Sequence, residues 1–396
     1  MAQGALDGLV VLDLTRVLAG PTATQLMGDL GALVLKVENP ATGGDDTRAW
    51  GPPFVDGAPD LSAYFMAANR NKLSVAADLA AEDGRALVRA LAARADVVIE
   101  NFKPGGLAKY GLDHETLLAA HPGLVYCSIS GFGQTGPNRD KPGYDIMAQG
   151  LGGIMSLTGP VEGPPMKVGV AVADVVCGLY AAVGILAALR HRDRTGEGQH
   201  VDLALVDSQM AWLVNEGVSH LLTGREPARR GNAHATIVPY EVFAARDGWV
   251  IVAVGNDAQF RRFCDVLGLP ALAEDPRFAT NPARLEHRAA LLDEIGPAIA
   301  AQDGEALVAA LEAARVPAGP IRTVPQALAS DQAAAREMVV DVPTELPGGA
   351  VRLLGNPLNL SATPVCYDRA PPRFGADTEA ARHLAGQAPA RPPRGR

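Results

Sequence analysis

The sequence predicts an α/β fold: a large domain built on a doubly wound parallel sheet, joined to a smaller α+β domain from which the chain returns to the first. Three features predict it. Between residues 8 and 130, short continuous apolar runs alternate with helical segments, as strands buried on both faces of a parallel sheet do. From Met166 to His200 an Ala-, Leu- and Ile-rich stretch reads as a helix apolar on nearly all faces, which means a helix buried in a large core. Residues 240–254 (YEVFAARDGWVIVAV) place two β-rich runs around Asp247-Gly248, a type I′ hairpin signal.

Taken in order, GLVVLDL (8–14) is the first strand, followed by a helix from about Pro21 to Gly31 and by LVLKVE (33–38) and LSVAADL (73–79). A second series runs through a helix from about Glu82 to Arg94, DVVIENF (96–102), short helices to about Ala120, and GLVYCSIS (123–130). Ligands of such sheets bind beyond the carboxyl ends of the strands, so a site is expected in the loops at 15–20, 39–48, 101–106 and 131–145. After the central helix come GQHVDLALVDS and a further helix to about Leu222. The large domain is thus expected over 1–222, a polar linker over 223–236 and the small domain over 237–320, with helices near 257–267, 283–302 and 304–315. Residues 321–385 return to the large domain, and the Pro/Arg-rich 386–396 is expected to be a disordered tail.

With 396 residues, 48% hydrophobic and 20% charged, the chain is of ordinary globular composition. A net charge of −9, with no basic run outside the tail, argues against a nucleic-acid partner, so any anionic ligand must be held by local cations. Cys127, Cys177, Cys264 and Cys366 lie far apart without metal-ligand spacing; reduced thiols and no metal site are expected. The N-terminus lacks a basic segment followed by a long apolar one, so a cytoplasmic protein without a signal peptide is expected. The run from Val168 to Leu189 is long enough to span a bilayer, but it stands alone and carries Asp174, so no membrane is expected.

GFGQTG (131–136) matches a dinucleotide-binding fingerprint and follows a strand, but PNRDKPGYD comes next where a helix should begin. No phosphate-binding loop, zinc-protease motif or nucleophile elbow is present. What stands out is Asp174, the one carboxylate between Val168 and Leu189, near the first turn of the central helix. Unpaired N–H groups and the helix dipole there would keep it ionised even when desolvated, and the placement suits both a helix cap and a reactive carboxylate.

Taken together, the segments resemble the family III CoA-transferases (the CaiB/BaiF type) over nearly the whole chain. The resemblance is carried by VLDLTRVLAGPTATQLMGDLGALVLKVENP (11–40), NRNKLSVAADL (69–79), ADVVIENFKPGGLAKYGL (95–112) and YCSISGFGQTGPNRDKPGYDIMAQG (126–150). VADVVCGLYAAVGILAALRHRDRTGEGQHVDLALVDS (172–208), YEVFAARDGWVIVAVGND (240–257) and DPRFATNPAR (275–284) continue it in the same order.

The resemblance implies an enzyme that passes CoA from an acyl-CoA, succinyl-CoA or another dicarboxyl-CoA, to a free carboxylic acid. Coenzyme A and acyl-CoA are then substrates, and no cofactor is bound permanently. Asp174, in the ADxxxG context, would be the nucleophile, forming an aspartyl anhydride and then an aspartyl-CoA thioester. CoA would touch Val17, Leu18, Ala19, Asn39, Ala77, Asp78, Leu79, Asn101, Phe102, Lys103 and Lys109, although the family often carries Arg where Asn39 stands and Lys near Ala80. Arg16, Arg48, Arg70 and Lys72 are further candidates to pair phosphate or carboxylate. Tyr144 and Asp145 would lie close to the catalytic aspartate, with Gly255 and Asn256 of the small domain facing it. The α-methylacyl-CoA racemases of this fold carry a His where Tyr144 stands; a tyrosine is a poor base at neutral pH, which favours transfer over racemisation, while a CoA-binding protein without turnover stays open as an alternative. The resemblance also implies an interlocked homodimer.

Overall fold

A computed structural model describes residues 4–386; of the tail expected over 386–396, all but Gly386 lies outside them. The chain divides into two compact units, one built from the described parts of 1–155, 167–226 and 331–396, the other from 156–166 and 227–330. Residues 156–166, expected in the large domain, fall in the second unit. There the Met166 N–H bonds the Thr158 carbonyl at 3.0 Å, and the Arg229 guanidinium donates to the Gly163 carbonyl at 2.9 Å.

The first unit holds six parallel strands: β1 (Val10–Asp13), β2 (Leu33–Glu38), β3 (Lys72–Ala76), β4 (Val97–Glu100), β5 (Val125–Ser130) and β6 (Gln199–Ala204). Their order across the sheet is β3-β2-β1-β4-β5-β6, so the winding reverses between β1 and β4. The doubly wound expectation is visible in single residues. Val11, Val97 and Val125 pack with α1 (Ala19–Asp29), whereas their neighbours Leu12, Val98 and Tyr126 pack on the opposite face with Leu87 and Leu91 of α2 (Glu82–Ala92). The strand β6 was not expected. It alternates polar and apolar residues at the sheet edge, paired from Val125↔Gln199 to Ser130↔Ala204, and so lacks the continuous apolar run of the inner strands.

Beyond β5 come α3 (Asp145–Leu151), the long α4 (Val172–Thr195), α5 (Leu205–Ala211) and α6 (Val214–Thr223). The helix α4 is apolar on nearly all faces as far as Leu189, as expected, but only one of those faces is buried within the chain. Ala173, Cys177, Ala181, Ile185 and Ala188 are all at most 2% exposed, while Leu179, Tyr180 and Val183 on the other side are 48%, 44% and 63% exposed. Small residues on the buried face bring α4 close to α1.

The second unit centres on β7 (Tyr240–Ala245), β8 (Gly248–Ala253) and β9 (Ala318–Pro320), a three-stranded antiparallel sheet. The helices α7 (Asp257–Leu267), α8 (Arg288–Ala300) and α9 (Gly304–Ala313) cover it around Phe260, Phe263, Leu291, Ile295 and Leu307. The hairpin is present, but its turn is Arg246–Asp247 and neither residue has positive φ, so it is not type I′. Its backbone answers to the neighbouring helix start: Asp247 Oδ1 accepts the Gly304 N–H at 2.8 Å, and the Arg246 N–H bonds the Gln302 carbonyl.

Candidate active site

Between the paired strands β1 and β4 the winding of the sheet reverses, and the loops that leave these strands are tied together by one side chain. The Asn101 amide accepts the Arg16 N–H at 3.0 Å and donates to the Arg16 carbonyl at 2.8 Å. Two adjoining cavities open above these strand ends, of about 280 and 450 Å³, with Arg16, Phe102 and Tyr110 in the wall of both. The smaller is lined by Asn39, Ala77, Asp78 and Leu79. The larger is lined by Val17, Leu18, Ala19, Asn101, Lys103, Lys109, Tyr144, Asp145 and Asp174. Residues scattered over 158 positions of sequence, from Val17 to Asp174, thus share one continuous wall.

Asp174 sits in the first turn of α4 and is 8% exposed. Among the described residues nothing donates a hydrogen bond to its carboxylate; burial first, and the like charge of Asp145 second, push its pKa up to about 7. Asp174 does not cap the helix start, as its position in the sequence suggested it would. The cap is Asp145: its Oδ1 accepts the Ala173 N–H at 2.9 Å, one of the orphan donors of the first turn, and its Oδ2 accepts from Gln149 at 2.8 Å. Gln149, fully buried, also accepts the Val168 N–H at 2.8 Å, fixing the segment that leads into α4. One carboxylate is thus satisfied by donors while its neighbour Asp174 is left bare.

The ADxxxG spacing has a steric reason. A Cβ on Gly178 would stand 2.5 Å from the Ala19 carbonyl oxygen, so only glycine lets α4 approach the start of α1 and brings Asp174 beside the 16–19 loop. Gly131 and Gly143 cross backbone to backbone, where a Cβ on Gly131 would meet the Gly143 Cα at 2.5 Å. The GFGQTG segment thus closes a loop that delivers Tyr144 and Asp145, and no helix begins at its end.

A bare, buried carboxylate at a sheet switch point, under a cleft ringed by Arg16, Lys103, Lys109 and Lys141, is arranged for acyl chemistry on an anionic carrier. The sequence matches the model of CoA-transferase family III over residues 6–378. The chain belongs to that family. A succinate–glutarate CoA-transferase of Agrobacterium fabrum is 51% identical over 93% of each chain. A succinyl-CoA:glutarate CoA-transferase of Mus musculus is 41% identical over 88% of this chain and 80% of its own. Among solved structures, a CaiB/BaiF family protein from Brucella suis superposes with a TM-score of 0.87 at 47% identity, covering 97% of this chain and all of its own.

Several expected phosphate partners of this CoA-transferase are committed elsewhere. Arg48, Arg70 and Lys72 are buried in ion pairs with Glu38 (2.7 Å), Asp29 (2.6 Å) and Asp13 (3.3 Å), and none of the three lines either cavity. Arg16 does line both, half-exposed and paired with Asp46 at 2.8 Å. The Asn39 side chain accepts the Ala41 N–H at 2.9 Å. Tyr144 is 63% exposed at the mouth of the larger cavity. Gly255 and Asn256 belong to the second unit, where the polar groups of both serve the start of α7: Asn256 accepts the Gln259 N–H at 2.9 Å, and Gln259 accepts the Gly255 N–H at 2.8 Å. Neither lines the two cavities.

Other residues of the site escape a reading of the sequence. Gln149 looks like an ordinary helix residue. Tyr64 lines neither cavity, but burial and then the charges of Asp174, Asp145 and Asp45 push its pKa up. Lys36 stands in an apolar strand and Asp45 in a polar loop, with no signal that the two meet, fully buried, at 2.8 Å.

Proposed function

We propose that this CoA-transferase exchanges CoA between succinyl-CoA, or a related dicarboxyl-CoA, and a free dicarboxylic acid, with Asp174 as the group that is acylated. The observation that carries the proposal is the Asp174 carboxylate, buried without a hydrogen-bond donor inside the cleft that Lys103 and Lys109 border. Desolvation strips such a carboxylate of the hydration that blunts its nucleophilicity, and a pKa of about 7 leaves a substantial fraction ionised at neutral pH. The acids named for the relatives from Agrobacterium fabrum and Mus musculus, succinate and glutarate, support the substrate class.

An Asp174 oxygen attacks the thioester carbonyl, the carbon–sulfur bond breaks, and CoA leaves as thiolate with an aspartyl–acyl anhydride on the enzyme. The thiolate attacks the aspartyl carbonyl carbon, expelling the donor acid as carboxylate and leaving aspartyl-CoA. An acceptor carboxylate attacks that thioester, releasing thiolate again, which takes the acceptor's acyl group and frees Asp174. One thioester and one free acid enter, and one thioester and one free acid leave, with no net hydrolysis. Asn39, Ala77, Asp78 and Leu79 then border the adenosine end of CoA, and Val17, Leu18, Ala19 and Phe102 its thioester end.

Asp174→Ala is expected to lower transfer from succinyl-CoA to glutarate by more than about a thousandfold. Hydroxylamine added with succinyl-CoA is expected to leave a hydroxamate on Asp174, read by peptide mass. Transfer retained by the Ala variant, or deuterium exchange at the acyl α-carbon without any acceptor acid, would overturn the proposal. The enzyme is further proposed to work as a homodimer, a reading supported by the apolar face that Leu179, Tyr180 and Val183 present outside their own chain. Light scattering is expected to return twice the chain mass.

A further inference from the structure

The 14–18 loop, which carries part of the cleft wall, holds a backbone conformation that its own residues would not choose. Val17 has φ of 70°, in the left-handed region, where a β-branched side chain crowds the following carbonyl. Something must hold it there. The Val17 N–H points between the two oxygens of Asp45, at 3.2 and 3.3 Å. Asp45 is in turn fixed by the ammonium of Lys36 at 2.8 Å and by the Thr47 N–H at 3.0 Å and hydroxyl at 2.8 Å. The same Lys36 ammonium donates to the Thr15 carbonyl at 2.9 Å. One ion pair, 0% exposed at both side chains, therefore grips the loop on either side of Arg16.

A pair that served stability alone would be an odd choice here, because two charges taken out of water gain little over apolar residues of the same volume. What they supply is a fixed acceptor for one N–H and a fixed donor for one carbonyl, two residues apart. Arg16 lies between these points, so the peptide plane that enters residue 17 is fixed; beyond it Leu18 and Ala19 enter α1 against Gly178 and beside Asp174, and residue 17 takes up the turn between that plane and the helix.

We propose that Lys36 and Asp45 are positioning residues for CoA transfer, holding residue 17 in the left-handed region so that the 17–19 backbone faces the reacting carboxylate. The proposal rests on Asp174 as the acylated group. Its loss would show in turnover more than in substrate affinity, since a displacement of about 1 Å next to the reacting atoms costs up to about a hundredfold.

Two double variants of equal charge test it. Lys36→Met/Asp45→Asn removes both charges but keeps an acceptor for the Val17 N–H; Lys36→Met/Asp45→Ala removes the acceptor as well. The Ala form is expected to have a kcat for succinyl-CoA-to-glutarate transfer at least about tenfold below the Asn form, with the KM for succinyl-CoA within about threefold. Adding Val17→Gly to the Ala form is expected to restore kcat by about fivefold or more, because glycine occupies positive φ without a side-chain clash. Equal kcat in the two double variants, or no recovery on adding Val17→Gly, would overturn the proposal. Should the double variants not fold, Val17→Pro, which forces φ to about −65° and leaves the ion pair intact, is expected to lower kcat about a hundredfold, and unchanged kcat would count against the inference. A crystal structure of the Ala form adds a readout without turnover: φ of residue 17 still near 70° would defeat the brace while leaving Asp174 untouched. Full transfer by Asp174→Ala would defeat the nucleophile and leave the brace standing.

Discussion

Asp45 and Asp174 lie beside the same cleft and are both almost wholly buried, 3% and 8% exposed, yet they meet opposite fates. For Asp45 burial works to raise the pKa, but Lys36 and the Thr47 donors outweigh it and hold the carboxylate at about 2. For Asp174 burial meets no such opposition, and the charge of Asp145 adds to it. Asp13, beneath the same loop, follows Asp45: burial is opposed by Lys72 and Lys36, and the pKa ends below its ordinary value. The contrast shows that depth alone does not decide the charge state here. Pairing does: Asp13 and Asp45 meet lysines, and Asp174 meets no donor.

That contrast can be broken from either side. The largest effect on stability is expected for Lys36→Met, which strands a buried carboxylate: a loss of about 3–5 kcal/mol, measured by urea denaturation at pH 7. At Asp174 the sign reverses. Its folded pKa of about 7 lies above the unfolded value near 3.8, so below pH 3.8 the carboxyl is protonated in both states and costs nothing. As pH rises to 7 the unfolded chain ionises while the folded one holds its proton, so stability falls, and the full cost persists above pH 7. Asp174→Asn is therefore expected to be more stable than the natural protein at pH 8, by up to about 3–4 kcal/mol, with the gain shrinking toward pH 5 in thermal melts.

Gly178→Ala leaves every charge in place but separates the two regions. The new methyl would press on the Ala19 carbonyl, costing about 1–3 kcal/mol, and transfer is expected to fall with kcat more than with KM. The smallest effect is the most specific. For the natural enzyme, kcat/KM for succinyl-CoA is expected to rise with pH through about 7 as Asp174 ionises. Asp145→Asn keeps an acceptor for the Ala173 N–H and removes the like charge, so that limb moves to lower pH while staying above 3.8, burial being the larger cause. A limb that does not move would mean that the two carboxylates are not coupled.

Much of the fold could be read from residue patterns because its inner strands are apolar on both faces; LVLKVE (33–38) is a strand over its full length. The edge strand β6 was hidden by its alternation, and the α4 surface by a pattern that is apolar whether or not a partner covers it. At the site, Asp174 stood out because it interrupts an apolar run, and the family resemblance pointed to cleft residues as short as Ala19 and Ala77. Pairing was not legible. Nothing near Arg70 in the chain announces Asp29, and nothing near Lys36 announces Asp45, since these contacts are made by the topology of the sheet. For the same reason the capping role passed from Asp174 to Asp145, a residue that lies on another helix.

The Asn101 clip carries a consequence for the lifetime of the enzyme. A primary amide is the group that can give to one side of the Arg16 peptide unit and take from the other at the same moment. Hydrolysis of that amide to an acid, the ordinary ageing reaction of asparagine, would replace the donor by a negative oxygen facing a carbonyl. No volume would be lost and the pairing of β1 with β4 would stand, yet the two loops beside the cleft would lose the tie that joins them.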